Sequence, residues 1–225
     1  MDWGGIELVV FDVDGTLYNQ RALRSRMALA LFKHVLAKRD LSDVRILRTY
    51  RHGRELMGDT EKDNFERHLI DFTAASTGFS AMHVEAVIAE WIDQRPLPYL
   101  RTLRYPKLVE LFSALKRRRK TVGVYSDYPA SAKLTALGLE ADFIVCAPDQ
   151  DVRVLKPNPR GLEILMNMAG SNPFSTILIG DRIDRDGLAA RRANVRCLIR
   201  SPKRLTGWRT FRRYDDVIFS SLLAD

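Results

Sequence analysis

Apolar runs and stretches of helical periodicity divide the chain into an orderly series of elements. Ile6–Phe11 reads IELVVF and passes straight into Asp12-Val13-Asp14-Gly15, the pattern of a buried strand ending in a loop. From Arg21 to about Trp91 the pattern turns to long helical segments with almost no β-branched runs. Gln94-Arg95-Pro96-Leu97-Pro98 is expected to break that block. Strands and helices then alternate. Helices are expected over Pro106–Arg119, Ala130–Leu137 (closed by Gly138), Pro159–Ala169 (closed by Gly170) and Gly187–Ala193 (stopped at Asn194). Strands are expected over Thr121–Tyr125, Phe143–Cys146, Thr176–Ile179 and Arg196–Ile199.

Strands spaced by single helices imply an α/β fold with a doubly wound parallel sheet. The all-helical block after the first strand then reads as an insertion. A core of residues 1–19 and 96–225 with an α-helical cap over 20–95 is the expected organisation.

Length and composition agree with this. The chain has 225 residues, and 46% of them are hydrophobic against 28% charged, enough apolar material for a real core. No run approaches the ~18 apolar residues of a membrane span. The N-terminus has neither the basic segment nor the cleavage site of a secretory signal. Cys146 and Cys197 lack CxxC spacing and read as reduced thiols, so a cytoplasmic location is expected.

The net charge of +8 is unevenly placed. Residues 101–120 hold eight Lys or Arg against one acid, Glu110, and 196–213 hold seven against none. An anionic partner is therefore expected: a phosphorylated small molecule, with an anionic membrane surface or nucleic acid as further candidates. The run Lys116–Lys120 also suits a solvated helix end, where cations meet the macrodipole. The aromatics of GWRTFRRY (Trp208, Phe211, Tyr214) suit an interface or stacked bases, but packing of that segment on the core is the preferred reading.

Open parallel sheets bind ligands at the carboxyl ends of their strands. Here those ends carry Asp12 and Asp14, Ser126 with Asp127, and Asp181 followed by Asp184 and Asp186; Lys156 precedes Pro157 in the loop opening another helix. Converging carboxylates repel one another unless a cation joins them, and hard oxygen ligands suit Mg²⁺. A cation, an ammonium and a hydroxyl together suit a phosphoryl group. Taken singly, Asp14-Gly15 is a common turn signal, Ser126 could be an N-cap, and Lys156 a surface lysine. Coincidence at four successive strand ends favours a site.

These motifs resemble those of the haloacid dehalogenase-like superfamily over essentially the whole chain. Asp12-Val13-Asp14-Gly15-Thr16-Leu17 matches its first motif, Ser126 after VGVY its second, Lys156-Pro157 its third, and Gly180-Asp181 through Asp186 its fourth. The resemblance implies that Asp12 attacks phosphorus and that Asp14 acts as acid and then base. Thr16, counted with the substrate-binding set, would hold the geometry of the first motif. Ser126 and Lys156 would bind the phosphoryl group. Mg²⁺ would be held by Asp12, the Asp14 backbone carbonyl, Asp181 and Asp186. Asp184 remains an alternative to Asp186, which fits the spacing better. An Asp at position 14 favours phosphate-ester hydrolysis, since dehalogenating members lack it.

The expected activity is thus that of a Mg²⁺-dependent phosphatase on a small metabolite such as a sugar phosphate. The alternatives are a lipid-linked or nucleic-acid phosphate, a phosphomutase, and a non-catalytic binding protein. Arg45, Arg48, Arg51 and Arg54 recur every three residues and read either as a solvated face or as a contact for a second anionic group. His34, His52, His68 and His83 show no metal spacing. No Walker A, GxGxxG or GxSxG motif is present, which argues against a kinase, a dinucleotide enzyme and a serine hydrolase.

Overall fold

A computed structural model describes residues 2–60 and 64–224; Met1, residues 61–63 within the expected cap, and Asp225 lie outside the described residues. Six parallel strands form one sheet in the order β3-β2-β1-β4-β5-β6. They are β1 (Leu8–Phe11), β2 (Thr121–Ser126), β3 (Phe143–Cys146), β4 (Thr176–Gly180), β5 (Arg196–Arg200) and β6 (Thr210–Phe211). The doubly wound parallel sheet read from the sequence is therefore present.

The central strands are apolar on both faces because both are covered. Val9 and Phe11 join the core cluster of α6 (Leu108–Arg117), while Leu8 and Val10 join that of α8 (Arg160–Ala169) and α9 (Leu188–Arg192). In β1, Phe11 pairs with Val124 of β2 on one side and Ile179 of β4 on the other. The strand order reverses beside β1, so a crevice is expected where Asp12 and Asp181 leave β1 and β4.

Between β1 and β2 lies the helical insert: α1 (Gln20–Lys38), α2 (Ser42–Thr60), α3 (Phe65–Thr77), α4 (Ala81–Ile88), a π-helical turn over Ala89–Gln94, and α5 (Leu97–Leu103). Asn19 caps α1 by accepting from the Ala22 N–H at 3.1 Å. The helical block ends at Gln94, within the stretch expected to break it, but the break lasts only two residues before α5 begins. Arg95 and Pro96 keep helical angles, and Pro98 falls in the first turn of α5, where its missing N–H costs nothing. Likewise α6 starts two residues after Pro106, because Lys107 is left-handed at φ 70°. α7 (Ser131–Leu137) and α8 close on left-handed Gly138 and Gly170, as the sequence indicated.

The C-terminal segment supplies β6, which the sequence pattern did not reveal. It then packs Phe211, Tyr214 and Phe219 against one another in the core, ahead of α10 (Ser220–Leu223). The run Lys116–Lys120 ends α6 at the opposite edge of the sheet from the carboxylates. There Arg118 donates to the carbonyls of Leu222 and Ala224, and Lys120 to that of Ile6. Among the described residues no helix is long and apolar enough to cross a membrane.

Candidate active site

The structure gathers the strand-end residues around one buried ammonium. Lys156 is 1% exposed, and its Nζ lies 2.6 Å from Asp12 Oδ1, 2.7 Å from Asp186 Oδ1 and 3.2 Å from the Tyr125 carbonyl. Burial disfavours that charge, but Asp12 and Asp186 outweigh it and hold the ammonium well above its ordinary range. The Asp127 carboxylate accepts from the Lys156 backbone N–H at 3.0 Å, which anchors the loop.

Asp12 accepts from the Thr16 hydroxyl at 2.8 Å on its second oxygen. Thr16 is fully buried, and its carbonyl accepts from the Tyr214 hydroxyl at 2.8 Å. Its hydroxyl thus orients Asp12. Burial pushes the Asp12 carboxyl well up; the charges of Asp186 and Asp181 add to this, and Lys156 opposes it.

Oxygens of Asp12, Asp181 and Asp186 lie within 4.8 Å of one another. Two glycines permit this approach. A Cβ on Gly15, whose φ is +97°, would fall on the Asp181 carboxylate, and a Cβ on Gly180 would fall on that of Asp186. Asp186 is buried and accepts the backbone N–H groups of Asp181 and Arg182 at 3.1 and 3.0 Å. Asp184 instead points outward, with its side chain 62% exposed and paired to Arg182, so Asp186 is the second carboxylate of this loop. Asp181 is left as the carboxylate of the three most in need of a positive partner. Burial and the Asp186 charge raise it to about 7, with Lys156 opposing. A small, hard cation fits this donor set.

Asp14 faces elsewhere. Lys133 of α7 donates to both its oxygens at 2.8 and 2.7 Å, and the Tyr18 hydroxyl donates to Oδ1. Burial alone would raise the Asp14 carboxyl, yet Lys133 and Tyr18 bring it below its ordinary value. Ser126 is the last residue of β2, fully buried, and its Oγ accepts from the Tyr128 N–H at 3.2 Å. It is not a helix cap, since Ala130 holds that position.

Lys133 and Tyr18 were not singled out from the sequence. A lysine seven residues after Ser126 looks like any surface lysine. Both line a cavity of about 340 Å³ between the sheet edge and the helical insert, with Asp14 and Arg54 also in its wall. The arginine row resolves by helix geometry. Steps of three residues turn back about 60° each, so the row travels half-way round the helix. Arg45 and Arg48 are exposed, while Arg54 is buried and lays its guanidinium 3.8 Å from the centre of the Tyr128 ring. Arg54 also donates to the Asp127 carbonyl, and Glu55 meets Arg182 at 3.0 and 3.1 Å and Arg185 at 3.1 Å, tying α2 to the core. The Arg182 hydrogen bonds, aided by those of Arg185, lower the Glu55 carboxyl to about 2 against its partial burial.

A family model described as haloacid dehalogenase-like hydrolase matches residues 6–194. The phosphatase-named protein YhcW of Bacillus subtilis (strain 168) is 29% identical over 59% of this chain and 66% of its own length. Glyceraldehyde 3-phosphate phosphatase of Methanopyrus kandleri is 26% identical over 84% of this chain and 82% of its own. Among solved structures, 2-haloacid dehalogenase from Pseudomonas syringae pv. Tomato DC3000 superposes with a TM-score of 0.67 at 18% identity, covering 97% of this chain and 98% of that one.

Proposed function

The chain belongs to the haloacid dehalogenase-like hydrolases, and from that premise we propose that it is a Mg²⁺-dependent phosphatase acting on a small phosphate monoester. Two curated relatives carry phosphatase names, whereas the dehalogenase likeness, at 18% identity, speaks to the fold alone. The observation that carries the reading is the Asp14 carboxylate in the cavity wall, two residues beyond Asp12. An alkoxide leaving group needs a proton, which Asp14 can deliver; a departing halide needs none.

Asp12, aligned by Lys156 and Thr16, attacks phosphorus through its carboxylate and forms an aspartyl-phosphate as the bond to the leaving oxygen breaks. Asp14, which must first take up a proton from solvent against the pull of Lys133, passes that proton to the leaving oxygen. Asp14, then ionised and held so by Lys133, takes a proton from the water that cleaves the acyl phosphate. Ser126 and Lys156 hold the phosphoryl oxygens. Mg²⁺, held by Asp12, Asp181, Asp186 and the Asp14 carbonyl, would offset the charge that the phosphoryl group brings to these carboxylates.

The test is phosphate release from p-nitrophenyl phosphate and a panel of phosphorylated metabolites, with Mg²⁺ or EDTA, in wild type and Asp12→Asn. Release should require Mg²⁺ and fall by about 10⁴-fold or more in the variant. Halide release from 2-chloropropionate without any phosphate release would overturn the reading.

A further inference from the structure

Resting on that phosphatase reading, we infer that the cavity takes a phosphate monoester carrying a second anionic group, a carboxylate or another phosphoryl, on a short spacer. Six ionised side chains line the cavity: Asp14, Glu55, Lys133, Arg24, Arg51 and Arg54. The two acids are already answered, Asp14 by Lys133 and Glu55 by Arg182 and Arg185 of the core loop. Three guanidinium groups are left. Among the described residues none of Arg24, Arg51 and Arg54 has a carboxylate within ion-pair distance.

Arg54 is the most informative of the three. It is 8% exposed, and the groups it touches are neutral: the Tyr50 hydroxyl at 3.0 Å, the Asp127 carbonyl, and the rings of Tyr128 and Phe65. The carboxylates of Asp127, Glu66 and Asp93 act on it only from beyond ion-pair distance. A buried guanidinium with no carboxylate in contact is costly, and a bound anion reduces that cost. Arg51 lies one helical step before it on α2, and Arg24 reaches the same space from α1. Phosphoryl transfer at Asp12 does not use these three groups. The rest of the wall mixes apolar Leu23, Met27, Ile92 and Pro96 with Gln20, Trp91 and the tyrosines Tyr18 and Tyr128. At about 340 Å³ the space is at the small end for ligand pockets, which suits a compact substrate.

Matched substrate pairs test this with the full chain. 3-Phosphoglycerate adds a carboxylate to the frame of glycerol 3-phosphate, and fructose 1,6-bisphosphate adds a phosphoryl to fructose 6-phosphate. The two pairs separate the carboxylate source from the phosphoryl source. In at least one pair the doubly anionic member should have a kcat/KM about ten-fold or more above its partner. Arg51→Ala and Arg24→Ala should shrink that ratio chiefly through KM, because the second anion is held alike in ground and transition states. Both side chains are on the solvent side, so a melting curve readily confirms folding. Equal kcat/KM within both pairs, or a ratio unchanged in both variants, would overturn the inference and leave the phosphatase reading standing. If no ester is hydrolysed, the phosphatase reading fails, and binding of the same four compounds by calorimetry still decides the cavity. Preferential binding of a doubly anionic member, lost in Arg51→Ala, upholds it; no preference refutes it.

Discussion

Mg²⁺ should stabilise this protein by an amount that depends on pH, and Asp181 sets the dependence. Its carboxyl is raised to about 7 by burial and by Asp186. A raised carboxyl favours the cation-free fold most at low pH, and that contribution is lost as pH climbs toward about 7. Without a divalent cation, melting temperature should therefore fall through this group between mildly acid and mildly alkaline solution. A cation needs the ionised form, so below about pH 7 it must displace a proton, and its apparent affinity drops about ten-fold per pH unit. Mg²⁺ at about 100 times its dissociation constant contributes about 2.7 kcal/mol, or about 5–10 °C for a chain of this size. At pH 8 the full shift should appear. At about pH 6 the same Mg²⁺ concentration stands only about ten-fold above the dissociation constant, and the shift should be about half as large. Scanning calorimetry at both pH values, with EDTA blanks and Asp181→Asn alongside, makes the measurement. A Mg²⁺ shift of equal size at pH 6 and pH 8, or one undiminished in Asp181→Asn, would refute the reasoning.

Lys133→Met removes the cation that holds the Asp14 carboxyl below its ordinary value, so that carboxyl should rise and the step in the kcat/KM profile that reports its titration should move to higher pH, as a pH–rate series would show. Gly15→Ala puts a side chain against Asp181 at a left-handed φ and should cost about 1–2 kcal/mol from backbone conformation alone, measurable by urea unfolding, with further loss of the Mg²⁺ response. Thr16→Val keeps the volume but leaves Asp12 Oδ2 without its donor; a destabilisation of about 1–3 kcal/mol and a lower kcat are expected from unfolding and steady-state assays.

Much of this was legible before any coordinates, for a physical reason. Strands buried on both faces must be apolar throughout, so IELVVF, TVGVY, FIVC and TILI announce themselves, and short helices between them imply parallel neighbours. Once the sheet is parallel, its carboxyl ends share one edge, and Asp12, Ser126 and Asp181 must lie there together. Gly15 was visible as a turn glycine, although its reason, the approach of Asp181, was not; nor did the sequence show that Gly180 makes room for Asp186.

Tertiary structure alone decided which polar groups meet. Asp184 and Asp186 are two residues apart on one π-helical turn, and only the path of that turn sends one to Lys156 and the other to solvent. Lys133 and Arg54 look like ordinary helix cations until α7 and α2 are docked, when one finds Asp14 and the other is buried between the insert and the core. The strand β6 is two residues long, too short for any periodicity, and exists only because β5 offers it an edge. Hydrophobic pattern records how each residue stands to its own element. Charge pairing depends on the distance between elements far apart in the chain, and that distance arises only when the core packs.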